Sequence, residues 1–237
     1  LTLIAHAMQY TAGRCKIIAG TGSNDTAHAI DMSRAASSMG ACAVLIVTPY
    51  YNKCTQAGLI AHYTAIADAV SCPVICYNVP SRTGVDLALE TYQALSKHPN
   101  IQGVKEAGGS PAKIAKTIET CADDFFVWSG NDDEAVCAMA LGAKGLISVL
   151  SNVRPKKTLA MLRACQQNDF RRGRIAARAD GPHRRAVLRG KPDPGQKGAG
   201  AGGCCGRRSS PSADGVPGGK AAASESRACE NAGRMIQ

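Results

Sequence analysis

The chain has 237 residues, of which 45% are hydrophobic and 4% aromatic, and its formal net charge is +10. No apolar stretch approaches the ~20 residues that a membrane-spanning helix needs, so we predict no membrane span. The charge is unevenly distributed: residues 1–170 hold 14 Lys and Arg against 13 Asp and Glu, whereas residues 171–237 hold 14 against 5. The basic excess therefore says little about the partners of the first 170 residues.

An apolar, β-branched run, a polar loop and an Ala-rich segment recur six times between residues 15 and 170, and the chain begins inside a further helical segment. The apolar runs predict strands at residues 16–20, 43–48, 73–77, 101–107, 125–129 and 145–149. Their starts are roughly 20–30 residues apart, the length of a βα unit. The intervening segments predict helices at residues 27–39, 55–70, 89–95, 111–120, 132–141 and 155–167.

Hydrophobic strands that alternate with helices predict a parallel sheet covered on both faces. A doubly wound sheet and a (β/α)8 barrel both fit this pattern. Polar residues follow nearly every strand, as in Thr48-Pro-Tyr-Tyr-Asn52 and Ser129-Gly-Asn-Asp132, and this spread favours the barrel. A dinucleotide-binding sheet concentrates its glycines after the first strand, and Gly20-Thr-Gly22 lacks the third. We predict an α/β fold, an incomplete TIM barrel whose six βα units correspond to strands 3–8, with the first two strands outside this sequence.

Lys105 lies inside one of the apolar strands, residues 101–107. Burial disfavours the ammonium form and lowers the pKa of a lysine, by up to ~3–5 units for a fully buried group. A neutral amine can attack a carbonyl and form a Schiff base. The alternative is a lysine at the strand end that extends to water or pairs with Glu106.

The final segment, residues 171–237, differs in composition from residues 1–170. It holds 13 of the 25 glycines, and only six of its 67 residues are Ile, Val, Leu, Met, Phe, Tyr or Trp. Such a segment buries too little apolar surface to offset its ordering entropy. We predict two parts, a barrel domain at 1–170 and a disordered or frame-shifted basic tail at 171–237. Because the tail has no aromatic residue to stack a base, we do not expect it to bind nucleic acid.

The 11 cysteines form no Cys-x-x-Cys motif and do not cluster with histidines. We therefore predict no metal site and no disulfide framework. Buried, reduced thiols and the lack of a basic stretch typical of a secretory leader indicate a cytoplasmic protein.

Three motifs occur in order: Thr48-Pro-Tyr-Tyr-Asn-Lys53, Tyr77-Asn-Val-Pro-Ser-Arg-Thr-Gly84 and Gly103-Val-Lys-Glu-Ala107. With them, residues 1–170 closely resemble the dihydrodipicolinate synthase (4-hydroxy-tetrahydrodipicolinate synthase) family of the pyruvate-dependent class I aldolases. The resemblance implies a (β/α)8 barrel, usually a homotetramer, that condenses pyruvate with aspartate semialdehyde in lysine (diaminopimelate) biosynthesis. It also implies no cofactor, since the chemistry proceeds through a covalent imine.

The resemblance assigns catalytic roles to three residues. Lys105 matches the Schiff-base lysine, and its amine is expected near Tyr77 at the carboxyl ends of the strands. Tyr77 matches a proton-relay tyrosine, although by itself it also fits a tyrosine whose hydroxyl reaches water. Tyr51 matches the tyrosine that reaches across a dimer contact into the neighbour's relay.

Three further residues match substrate-binding positions. Arg82 matches the arginine that binds the carboxylate of aspartate semialdehyde, for which a guanidinium fork is suited. Gly130 and Ile147 match positions that line the pyruvate pocket. Arg82 favours a synthase over the alternative of an N-acetylneuraminate lyase. A 2-keto-3-deoxy sugar acid aldolase is a second alternative within the same superfamily. A non-catalytic product is the remaining alternative.

The chain departs from the family pattern at several places. The family's Gly-Thr-Thr-Gly-Glu motif has no match upstream of Lys16, so we expect little synthase activity from this chain alone. Cys54 replaces a usual proline, and His28 stands where lysine-inhibited members often carry glutamate.

Overall fold

The structure is a computed structural model that describes residues 1–178. Its strands are β1 (Ile18–Gly20), β2 (Ala43–Val47), β3 (Val74–Asn78), β4 (Ile101–Glu106), β5 (Phe126–Ser129) and β6 (Gly145–Leu146). Its helices are α1 (Thr2–Thr11), α2 (Thr26–Ser38), α3 (Gln56–Ala69), α4 (Pro80–Thr83), α5 (Leu89–Leu95), α6 (Pro111–Thr120), α7 (Ala135–Ala140), α8 (Pro155–Gln166) and α9 (Phe170–Arg178), with a 3₁₀ turn at Leu150–Asn152. None of the helices in this part of the chain is long and apolar enough to cross a membrane.

The six strands form one parallel sheet in which each strand pairs with the next strand in sequence. A doubly wound sheet reverses its strand order at a switch point, whereas consecutive order is the order of a TIM barrel. The prediction of an incomplete TIM barrel with six βα units is therefore confirmed. The register places Lys105 between Tyr77 of β3 and Trp128 of β5.

Helices α2, α3 and α6 begin at side chains that bind free backbone N–H groups. Asp25 accepts a hydrogen bond from the amide of His28, and Thr55 accepts one from the amide of Gly58. Ser110 caps α6 in the same way, and a proline follows it in the first turn. Such N-caps contribute about 1 kcal/mol each. The bounds predicted for α5 and α6 agree with the structure.

The hydrophobic core lies between one face of the sheet and the helices that cover it. Strand residues such as Val44, Ile46 and Val104 pack there with Leu59 and Tyr63 of α3, all fully buried. Fully burying a side chain of this size stabilises the fold by about 1.5–3 kcal/mol. Because neighbouring residues of a strand face opposite sides, the other face carries the residues that alternate with these.

Four local features differ most from the prediction. Helix α4 and the 3₁₀ turn were not predicted, and β6 ends at Leu146 rather than at 149. Helix α7 begins at Ala135 rather than at Asp132. The reason is that the Asp132 carboxylate accepts hydrogen bonds from the Ser148 hydroxyl and from the amides of Val149 and Leu150. These bonds hold Asp132 in a loop.

The structure places a helix across residue 170, where the sequence analysis ended the barrel domain. Helix α9 covers Phe170–Arg178 and packs against α8, and the Asp169 carboxylate accepts a hydrogen bond from the Arg172 amide at its start. A Cβ at Gly173 would lie 2.7 Å from the Cys165 Sγ, so a glycine permits this close approach. Composition averaged over the whole tail hides one short helix. The rest of the predicted tail lies outside the described residues.

Candidate active site

Lys105 lies near the carboxyl end of β4, on the sheet face opposite the hydrophobic core. Only 8% of the residue is exposed. Its Nζ lies 4.0 Å from the centroid of the Tyr77 ring, a distance at which a cation and an aromatic ring attract each other. The register between β3 and β4 thus brings together two residues that are far apart in sequence.

Tyr77 is half-buried at the end of β3. Burial raises the pKa of the Tyr77 phenol above its usual value of about 10, and the positive charge of Arg82 acts in the opposite direction. The hydroxyl therefore carries its proton at neutral pH and can donate it to a reacting oxygen.

Tyr77 and Arg82 also line one open cavity of about 460 Å³. Its apolar wall includes Leu45, Val47 and Val79. Arg82 is exposed and belongs to the short helix α4, which Pro80 begins and Gly84 ends with φ 72°. A cavity with an apolar wall and one guanidinium suits a small molecule that carries a carboxylate.

Gly130 directly follows β5, and its amide donates a hydrogen bond to the Glu106 carbonyl at 2.6 Å. A Cβ at this position would lie 2.7 Å from the Cβ of Ala107 and 3.2 Å from the Cε of Lys105. The absence of a side chain at Gly130 therefore leaves the space that the Lys105 side chain occupies.

Ile147 and Tyr51 are the two remaining predicted site residues. Ile147 follows β6, is half-buried, and donates its amide to the Ser129 carbonyl at 2.9 Å. Tyr51 is 88% exposed on the loop after β2, with φ 73°. Within one chain the structure brings Lys105 together with Tyr77 and Gly130, whereas the Tyr51 side chain faces solvent. The roles assigned to these residues stay predictions.

The sequence analysis missed a buried polar group on the opposite face of the same strand ends. The carboxylate of Glu106, a residue that is 2% exposed, accepts hydrogen bonds from Asn78 at 3.0 Å, from the Tyr92 hydroxyl at 2.5 Å and from the Gly108 amide at 2.6 Å. The ammonium of Lys113 lies 3.9 Å from it. Asn78 and Glu106 directly follow Tyr77 and Lys105, and this adjacency is the signal that could have revealed them.

Asp86 completes this group, because it accepts a hydrogen bond from Asn78 at 2.7 Å and pairs with Lys113 at 2.5 Å. We call Asn78, Asp86, Tyr92, Glu106 and Lys113 the Glu106 cluster. Burial raises the pKa of the Tyr92 phenol well above its usual value, and the charge of Glu106 and its hydrogen bond to Tyr92 raise it further.

Among the described residues, three buried side-chain polar atoms have no hydrogen-bond partner: the Thr48 hydroxyl, the His62 Nε2 and the Trp128 indole nitrogen. Buried groups of this kind cost about 1–3 kcal/mol each when unpaired.

In residues 1–178 no group of three or more His, Cys, Asp or Glu side chains is placed to hold a metal ion.

The fold and this arrangement define a class, the parallel βα-barrel proteins that carry a buried lysine at the strand ends. Residues 1–177 match the model of the Dihydrodipicolinate synthetase family. The chain belongs to this family, and the resemblance seen in its motifs is confirmed.

Individual relatives agree with this assignment. The chain is 51% identical over 169 residues to the 4-hydroxy-tetrahydrodipicolinate synthase of Exiguobacterium sibiricum, which covers 71% of this chain and 58% of that protein. The crystal structure of dihydrodipicolinate synthase from Aquifex aeolicus is 38% identical, with a TM-score of 0.77 over 79% of this chain and 64% of that one. The enzyme from Acinetobacter baumannii, solved in complex with pyruvate, gives 40% and 0.77 over the same shares. The chain thus spans less than two thirds of the length of these relatives.

Proposed function

We propose that this chain supplies the Schiff-base lysine of a 4-hydroxy-tetrahydrodipicolinate synthase. Such a lyase condenses pyruvate with L-aspartate 4-semialdehyde in the diaminopimelate route to lysine. Two observations on one residue carry the proposal: Lys105 is only 8% exposed at the end of a barrel strand, and its amine lies 4.0 Å from the centroid of the Tyr77 ring. Membership of the family and the pyruvate found in the Acinetobacter baumannii structure support it.

In the first half of the reaction, the neutral Lys105 amine attacks the ketone carbon of pyruvate. Loss of water gives an imine, whose protonated nitrogen then accepts the electron pair left when the methyl carbon loses a proton. The product is an enamine bound to Lys105. The imine nitrogen takes the place of an external electron acceptor, so no cofactor is required.

In the second half, the enamine carbon attacks the aldehyde carbon of aspartate semialdehyde. Tyr77 gives its proton to the alkoxide that forms, and Arg82 binds the substrate carboxylate through its guanidinium fork. The amino group of the semialdehyde then displaces Lys105 from the imine carbon. This step closes the ring and regenerates the lysine amine.

We further propose that the active form is a cytoplasmic homotetramer. The support is Tyr51, whose aromatic ring is 88% exposed in the single chain. Aromatic side chains are enriched at interfaces between proteins, and Tyr51 matches the family tyrosine that reaches into the neighbouring subunit.

Borohydride trapping tests the proposal directly. We expect pyruvate and sodium borohydride to label Lys105, as located by peptide mass spectrometry, and Lys105→Ala to remove the label. Lys97→Ala, which changes an exposed lysine, is the matched control and should keep it. A label that survives Lys105→Ala refutes the assignment.

Turnover separates the acceptor classes. Aspartate semialdehyde should consume the enamine, whereas N-acetylmannosamine, the acceptor of the neuraminate lyases, should not. The low activity expected of this chain alone stays a prediction. The same assay tests it by comparing the chain with a version completed with the family's Gly-Thr-Thr-Gly-Glu segment.

A further inference from the structure

We propose that Asn78 is a positioning residue that couples the strand end of Lys105 to the loop that carries Arg82, through the Glu106 cluster. This inference rests on the proposed function only in the roles it gives to Lys105 and Arg82. The contacts that carry it lie on the helix-covered face of the sheet, away from the reacting groups.

The Asn78 side chain is fully buried and uses every polar group it has. Its two N–H donors serve Glu106, at 3.0 and 3.1 Å from the two carboxylate oxygens, and Asp86 at 2.7 Å. Its carbonyl oxygen accepts a hydrogen bond from the Leu87 amide at 3.2 Å. An amide side chain offers donors and an acceptor at once, so one residue joins strand β4 to residues 86–87.

The sheet register explains why these bonds act on the site. Tyr77 pairs with Lys105, and the next pair along is Asn78 with Glu106. Neighbouring residues in a strand face opposite sides, so the Asn78–Glu106 bond lies directly behind the Tyr77–Lys105 pair. It fixes the two strand ends against each other at the level where the amine faces the ring.

The other end of the link is the loop formed by residues 79–88. This loop leaves β3 after Asn78, forms α4 with Arg82, and returns to Asn78 at Asp86 and Leu87. Gln56 also holds the loop, donating to the Asp86 carbonyl at 2.8 Å and accepting from the Ala88 amide at 3.0 Å. Removing Asn78 therefore loosens the loop without detaching it, and Arg82 loses its fixed position.

The effect of Arg82 on the pKa of Tyr77 can be measured independently of catalytic turnover. Arg82 opposes the rise that burial produces in the pKa of Tyr77. The Lys105 amine also lies close to the ring. If Arg82 moves away, the pKa of Tyr77 rises.

We would place 3,5-difluorotyrosine at position 77 of the full 237-residue chain and follow its titration by ¹⁹F NMR. Arg82→Ala should raise the titration midpoint, and Asn78→Ala should raise it by no more than Arg82→Ala does. In the double variant the midpoint should equal that of Arg82→Ala alone, because two changes that act through one group are not additive.

The matched control is Asn100→Ala. Asn100 donates two hydrogen bonds of 2.9 Å, to the carbonyls of Ala67 and Val70, at the other end of β4. Its loss should lower the melting temperature and leave the Tyr77 midpoint unchanged. A merely structural role for Asn78 would give this same pattern.

Asp86→Ala is the second variant, and it leaves the donors to Glu106 in place. Removing a negative charge cannot by itself raise the pKa of a phenol, so a raised midpoint reports displacement of Arg82. The proposal is overturned if neither Asn78→Ala nor Asp86→Ala raises the midpoint, or if the rise from Asn78→Ala persists in the Arg82→Ala background. Failure of pyruvate to label the unsubstituted chain refutes the proposed function instead and leaves the titration result standing.

Discussion

Gly130→Ala places one methyl group against the side chain of the candidate nucleophile. The added Cβ meets the Cβ of Ala107 at 2.7 Å, and the Cε of Lys105 at 3.2 Å. Inserting a methyl into a packed site costs about 1–3 kcal/mol, and the lower entropy of the unfolded alanine chain returns about 0.4–1 kcal/mol. We expect a net loss of about 0.5–2 kcal/mol in the free energy of unfolding, with the Lys105 side chain displaced.

Gly145→Ala is the control, because its Cβ meets only the Cδ1 of Trp128 at an ordinary 3.6 Å. Urea unfolding followed by the fluorescence of Trp128, the single tryptophan of the chain, gives both stabilities, and borohydride trapping gives the rate of imine formation. Gly130→Ala should lose stability and most of its trapping rate, while Gly145→Ala should keep both. Equal stability and equal trapping in the two variants would refute this account of Gly130.

Tyr92→Phe removes a hydroxyl that donates to the buried Glu106 carboxylate and should cost about 1.5–3 kcal/mol, because hydrogen bonds to charged groups are the stronger ones. Tyr63→Phe is the control, because it removes a hydrogen bond to a neutral carbonyl and should cost about 0.5–1.5 kcal/mol. Equal losses of unfolding free energy in urea would contradict a charged Glu106 carboxylate as the acceptor of the Tyr92 hydroxyl. Burial lowers the pKa of His62, so the unfolded chain binds a proton more readily, and stability should decline as the pH falls below the unfolded value of about 6.5. The decline contributed by His62 is at most about 1.4 kcal/mol per pH unit. This loss of stability at low pH should disappear in His62→Gln and persist in His28→Gln, which changes an exposed histidine. The free energy of unfolding is measured at pH 7.5 and 5.5, and an equal decrease in both variants would exclude His62 as the source.

The sequence by itself determined the alternation of strands and helices and the buried strand that holds Lys105. These features depend on local physical rules, the hydrophobic period and the capping of helix ends. For that reason the bounds of α6, which Ser110 caps, could be predicted residue by residue. The predicted bounds of α5 also agree, although no side chain caps this helix. The motifs were also enough to identify the family, because side chains at strand ends occur in a fixed order along the chain.

The tertiary structure alone decided which side chains meet. Glu106 next to Lys105 suggested an ion pair between neighbours, whereas the structure shows its carboxylate bonded to Asn78 and Tyr92 on the helix-covered face. Asp132 looked like the start of a helix, but its carboxylate binds residues that follow β6. These contacts join residues 14 to 28 positions apart. Their geometry depends on strand register and helix packing, which no local pattern of residues specifies.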